Sequence, residues 1–104
     1  MRRVFWSKDA LHEFDQLIAT IARDNPAAAT VVADRIEKTI KASAVMPIGR
    51  KGRVAGTYAT IVTGLPYIIA YALGSTPGPD ETLTVLRIIH GARDWPEGRW
   101  PEPA

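Results

Sequence analysis

Arg87, His90, Arg93 and Trp95 bring two guanidinium groups, an imidazole and an indole to one short stretch near the end of the chain. They follow a strand-forming run, Thr82-Leu-Thr-Val-Leu-Arg-Ile-Ile-His90, that breaks at Gly91. Guanidinium groups grip carboxylates and phosphates through paired N–H donors. An imidazole exchanges protons near neutral pH, and an indole anchors a partner surface. Arg87 lies among aliphatics, where arginine is rarely buried without a partner. A structural ion pair, with Asp94 as one candidate, is the simplest reading; a shallow groove for a phosphate or a partner's carboxylate is the other. His90 suits a general acid or base, although a lone histidine at a strand end more often packs or caps.

A second cluster is Gly49-Arg-Lys-Gly-Arg53. No Asp or Glu lies between Glu37 and Asp80, whereas Lys38, Lys41, Arg50, Lys51 and Arg53 all do. The middle of the chain therefore carries an unopposed positive field that could attract an anionic partner, or simply a solvated loop surface. The loop is not a Walker A motif and lacks its strand-to-helix setting. Tyr58, Tyr67 and Tyr71 could stack on bases or pack in a core. There is no G-x-S-x-G, H-E-x-x-H or paired-carboxylate signature. Asp9 with Glu13, and Asp34 with Glu37, read as solvated helix faces.

The elements that must position these groups follow from pattern. Residues 2–6 read as a strand, and Ser7 as the N-cap of a helix with Asp9 in its first turn. Leu11, Phe14, Leu17, Ile18 and Ile21 recur at helical spacing, with Glu13 assigned to the polar side. Asn25-Pro26 ends this helix and opens another, Asn capping and Pro taking the first position. The second helix runs to about Met46, its stripe Val32, Ile36, Ile40 and Ala44, with Ala29 and Ala33 allowing close approach. So short a link predicts an αα-hairpin. Pro47–Gly56 reads as a loop. Strands are predicted at 57–63, 67–73 and 82–89, with a turn at Gly64-Leu-Pro66 and a longer polar loop at 74–80.

The fold class is therefore α+β: a first strand, a two-helix hairpin on one face, then a three-stranded antiparallel meander. The first strand must join an edge or slot into the sheet. Strict alternation would put Leu83, Val85, Arg87 and Ile89 on one face and Thr84, Leu86, Ile88 and His90 on the other. Both sets are largely apolar, so both faces need cover, and the helices supply only one. The C-terminal tail, a second chain, or both must supply the other. Residues 1–95 form one domain, and 96–104 a proline-rich tail.

Composition narrows function less than position does. The chain has 104 residues, 46% hydrophobic and 23% charged, as in an ordinary single domain. A net charge of +2 is too small to argue for nucleic acid alone. The absence of cysteine removes disulfide and thiolate chemistry and suits a reducing compartment. Two histidines argue against a conventional zinc site, and no cofactor or metal is expected. No apolar run approaches the roughly 20 residues of a membrane span. The N-terminus lacks a signal peptide's apolar segment. A cytoplasmic protein without a membrane partner is expected.

The sequence resembles the RelE/ParE superfamily of toxins from type II toxin–antitoxin modules, and its ParE branch in particular. The likeness spans roughly residues 3–95. It rests on Trp6-Ser-Lys-Asp-Ala-Leu11, Asn25-Pro-Ala-Ala-Ala29, Pro47-Ile-Gly-Arg50, Gly52-Arg53, Gly56-Thr57, Pro66-Tyr-Ile-Ile-Ala-Tyr71 and Leu86-Arg-Ile-Ile-His-Gly-Ala-Arg-Asp-Trp95. The resemblance implies a helical hairpin against a curved antiparallel sheet. It also implies a small toxin neutralised in a hetero-oligomer by an antitoxin encoded beside it, whose C-terminal segment wraps the toxin with apolar and acidic residues.

Two mechanisms diverge within the superfamily. ParE-like members poison DNA gyrase by protein–protein contact, without chemistry of their own. That would make Arg50, Arg53, Tyr58, Arg87, His90, Arg93 and Trp95 partner-binding candidates. RelE-like members cleave messenger RNA on the ribosome. That would cast Arg50, Lys51 and Arg53 as phosphate ligands, Arg87 as transition-state stabiliser and His90 as acid or base. RelE-type nucleases are generally more basic and carry a tyrosine near the C-terminus, whereas no tyrosine follows Tyr71. The gyrase-poison expectation is therefore preferred over the ribonuclease and over a non-toxic interaction module.

Overall fold

A computed structural model describes residues 2–52, 54–74 and 81–90. The element order is β1 (Arg3–Trp6), α1 (Lys8–Asp24), α2 (Pro26–Val45), β2 (Arg50–Lys51), β3 (Thr57–Ile61), β4 (Tyr67–Leu73) and β5 (Thr82–His90). The sheet runs β1-β5-β4-β3-β2. β1 joins its edge parallel to β5, and the other pairs are antiparallel. The expected α+β class holds, with one addition: among the described residues the sheet has five strands, because Arg50 and Lys51 leave the expected loop to pair with Ala59 and Tyr58.

Local chemistry explains the helices. Ser7 caps α1 by accepting from the Ala10 N–H at 3.0 Å, and Asn25 caps α2 by accepting from the Ala28 N–H at 3.0 Å. Asn25 also donates its N–H to Ile21 O at 2.9 Å, so one residue ends one helix and starts the next. The α2 stripe is buried as expected, at Ala29, Val32, Ile36, Ile40 and Ala44. In α1 the phase differs by one position. Ala10 is fully buried, Phe14, Leu17, Ile18 and Ile21 pack on the core, and Leu11 is half exposed.

The main core lies between the helices and one face of the sheet, around Ile36, Val62, Ile69, Tyr71, Leu83, Val85 and Ile88. Strict alternation does not hold along β5. Ala70 pairs with Arg87 and Tyr71 with Val85, so Leu86 is an extra residue in a bulge. Leu83 and Val85 face the core before it and Ile88 after it, while Leu86 joins Ala70 and Ala72 in a separate cluster on the outer face. The middle of that outer face is buried. Its margins are not: Phe5 is 47% exposed and Ile61 68%. Among the described residues, no helix is long and apolar enough to cross a membrane. The tail and most of the 74–80 loop lie outside the described residues.

Candidate functional site

β1 ends at Trp6, opposite Val85, and from there α1 takes over the edge of β5. Ser7 donates its N–H to Val85 O at 2.9 Å and its hydroxyl to Leu86 O at 2.8 Å, while also capping the helix. Two turns on, the Glu13 carboxylate accepts the Ile88 N–H at 3.1 Å. It also accepts Arg87 Nε at 2.9 and 3.0 Å and Arg87 Nη2 at 2.6 Å. This forked, charge-assisted pair holds Arg87 against the helix. Asp9 and His12 line the same small hollow, of about 290 Å³. Arg87 thus has an ion-pair partner in Glu13, and the expected candidate Asp94 lies outside the described residues. Glu13 is not a solvated residue.

His90 stands across from Tyr67, ring edge to ring face, with centroids 5.8 Å apart and planes at 90°. Arg50 and Lys51 are exposed on β2 and, as neighbours in a strand, project to opposite faces. The register row Arg50–Ala59–Ala70–Arg87 crosses four strands, separating the two arginine backbones by about 14 Å at the usual strand spacing. Lys51 instead pairs with Tyr58, which stacks on Tyr71 at 5.3 Å and 11°.

Tyr71 fixes that cationic edge. Its hydroxyl donates to Ile48 O at 2.6 Å and accepts from the Ile48 N–H at 2.9 Å. Burial pushes the Tyr71 pKa above its ordinary 10.0, partly countered by the bond to Ile48. Next in the turn, Gly49 has φ +99°, and a Cβ there would run into the Ala59 carbonyl. Residues 47–49 therefore lie tight against the sheet, and β2 follows.

Among the described residues, the groups of the ribonuclease expectation sit on two strands, Arg50 and Lys51 on β2 and Arg87 and His90 on β5. Arg87 is engaged by Glu13, His90 packs on Tyr67, and Arg50 and Lys51 diverge. Arg53, Arg93 and Trp95 lie outside the described residues. The residue that sequence reasoning misplaced is Glu13, and a signal for it existed. It falls three residues after buried Ala10 and four before Leu17, on the helix's apolar face.

The comparisons fit this architecture. The family described as the ParE toxin of the type II toxin–antitoxin system, parDE, matches residues 4–95. A protein of Sinorhizobium fredii, named as a presumed toxin, Y4kP, is 32% identical over 97 residues, which are 92% of this chain and 95% of that protein. A solved structure of the chromosomal ParDE toxin–antitoxin system from P. aeruginosa superposes with a TM-score of 0.69 at 18% identity. It covers 86% of this chain and 96% of the solved one.

Proposed function

We propose that this chain, which belongs to the ParE toxin family of type II toxin–antitoxin systems, arrests growth by binding DNA gyrase and is neutralised by an antitoxin encoded beside it. The reading is one of contact without catalysis by the toxin itself. One observation carries it: the guanidinium a nuclease would need at a transition state, that of Arg87, is held by Glu13 at 2.6 Å. His90 packs edge-on against a tyrosine, away from the β2 cations. What the described surface offers in place of a catalytic pocket is contact chemistry. The β2 edge presents Arg50 and Lys51, and the outer sheet face ends in exposed Phe5 and Ile61. Such a mixture of cations and apolar side chains suits protein recognition.

The test is inducible expression, scoring the DNA-damage response against translation arrest. The proposal expects induction of the damage response with messages left intact at the onset of arrest. Cleavage of ribosome-bound message, abolished by Arg87→Ala and His90→Ala, would overturn it in favour of the RelE-like ribonuclease. Unchanged growth would remove both toxin mechanisms and leave an interaction module.

A further inference from the structure

The middle of the outer sheet face is closed to solvent, and neither helix closes it. The helices pack on the opposite face, in the core with Ile69 and Ile88. Yet Ala70, Leu86 and Ile89 are buried on the outer side, Leu86 at 4% exposure. Ile89 belongs to that side because it pairs with Ile68, one step along from the core pair Ile69 and Ile88. The described residues clustered with Leu86 are Ala70 and Ala72. Two methyl groups do not bury a leucine on an open face. A single copy of the chain produces this burial, so the cover belongs to the chain itself.

Two stretches longer than one residue lie outside the described residues, 75–80 and 91–104. The first, Ser-Thr-Pro-Gly-Pro-Asp, has proline as its sole apolar side chain. It joins β4 to β5 at the end where Leu73 pairs with Leu83. With both ends held there it extends at most about 12 Å, whereas the Ile68–Ile89 pair lies about 17 Å away. The second stretch starts after His90, beside Ile89, and carries Trp95 and Trp100. Fully extended it spans about 40 Å. The outer strip from Ile89 to Ala72 is about 13 Å long, so the segment can reverse at Gly91 and still cover it.

We infer that residues 91–104 fold back over β4 and β5 and dock Trp95 and Trp100 on the strip formed by Ala70, Ala72, Leu86 and Ile89. Five residues of polyproline II set the two indoles about 16 Å apart, close to the length of the strip. Each indole brings about 150–250 Å² of surface to a place where two alanines leave room for it. Pro96, Pro101 and Pro103 favour that extended form, which needs no hydrogen-bonded neighbour strand. The exposed residues bound the footprint. Phe5 on β1 and Ile61 on β3 stay open, so the segment covers the two middle strands and leaves the margins for partners. The inference stands independently of the gyrase proposal, which draws on those margins.

The experiment uses the full chain with its Ala, Ile and Leu methyl groups labelled with ¹³C. Nuclear Overhauser contacts are measured from the indole protons to the methyls of Ala70, Ala72, Leu86 and Ile89. Both Trp95 and Trp100 are expected to show them. Trp6, which meets Phe14 on the core side at 5.3 Å, serves as the control and should show none. Mixing labelled with unlabelled copies should leave every such contact within one chain. In the double variant Trp95→Ala, Trp100→Ala, the Leu86 and Ile89 methyl shifts should move while those of Ile69 and Ile88 stay in place. A wild-type spectrum in which neither tail indole touches these methyls overturns the inference, as does a double variant with unchanged Leu86 and Ile89 shifts. Contacts found only between copies overturn it in favour of tails exchanged within a dimer.

Discussion

The two edges of the sheet carry similar charge on dissimilar supports. β1 has four residues, and its inward side chains belong to the core: Val4 packs there, and Trp6 meets Phe14 edge to face at 5.3 Å. Behind it stands α2, buried along one face from Ala29 to Ala44. β2 has two residues, both exposed, and depends on the Tyr71 hydroxyl and the close approach at Gly49. Cations beside β1 rim an apolar groove. Those of β2 diverge from a thin ribbon. Charge count alone would treat the edges as equivalent, yet among the described residues the first lines a groove with the depth to hold an apolar anchor. What lies beneath a cation decides what it can recruit.

Substitutions should separate the edges by how far damage spreads. The largest effect belongs to the β1 side, where Ile36→Ala empties a fully buried position on the inner face of α2. A loss of about 2–5 kcal/mol is expected, measured as a lowered urea midpoint for the whole domain. Next is Glu13→Ala, which strips partners from Arg87 and the Ile88 N–H where α1 replaces β1. Arg87 is 37% exposed and can turn to water, so a cost of about 1–2 kcal/mol is expected. A double-mutant cycle with Arg87→Ala should return a favourable coupling; strict additivity would mean that the pair contributes nothing to stability.

The β2 edge should respond locally. Tyr71→Phe removes both bonds to Ile48 and should cost about 1 kcal/mol. Amide exchange should accelerate around residues 48–52 while β1 and β5 stay protected. Uniform acceleration would show that the edge is not an independent unit. The smallest effect is alkaline. Because the folded pKa of Tyr71 is raised above 10.0, its contribution is complete below that pH and is lost as pH climbs through the raised value. The stability difference between wild type and Tyr71→Phe should shrink across that interval and stay flat between pH 6 and pH 9.

The comparison also marks where sequence reasoning held. Caps and stripes are local, so Ser7, Asn25 and the Val32–Ile36–Ile40 series were legible, as was β4 from Tyr67 to Leu73. β2 was not, because its pairing depends on a hydroxyl donated from β4 and on a carbonyl of β3 touching Gly49. The bulge at Leu86 was hidden for a related reason. Alternation in β5 is apolar on both faces, so no polarity change marks the slip. Glu13 and Arg87 were legible as a pair in principle: an acid on an apolar helix face and a base in an apolar strand each demanded a partner. Arg50, Lys51, Tyr58 and His90 were identified by type, but which of them share a face depends on register.

The central claim, that the chain acts by contact with gyrase, meets its most direct test in a purified system. Gyrase, plasmid DNA and the toxin are incubated, and trapped double-strand breaks are counted with and without the toxin. The account predicts breaks that rise with toxin concentration and vanish when the antitoxin is added. Gyrase that supercoils normally at saturating toxin, alongside message cut on programmed ribosomes by the same preparation, would contradict it.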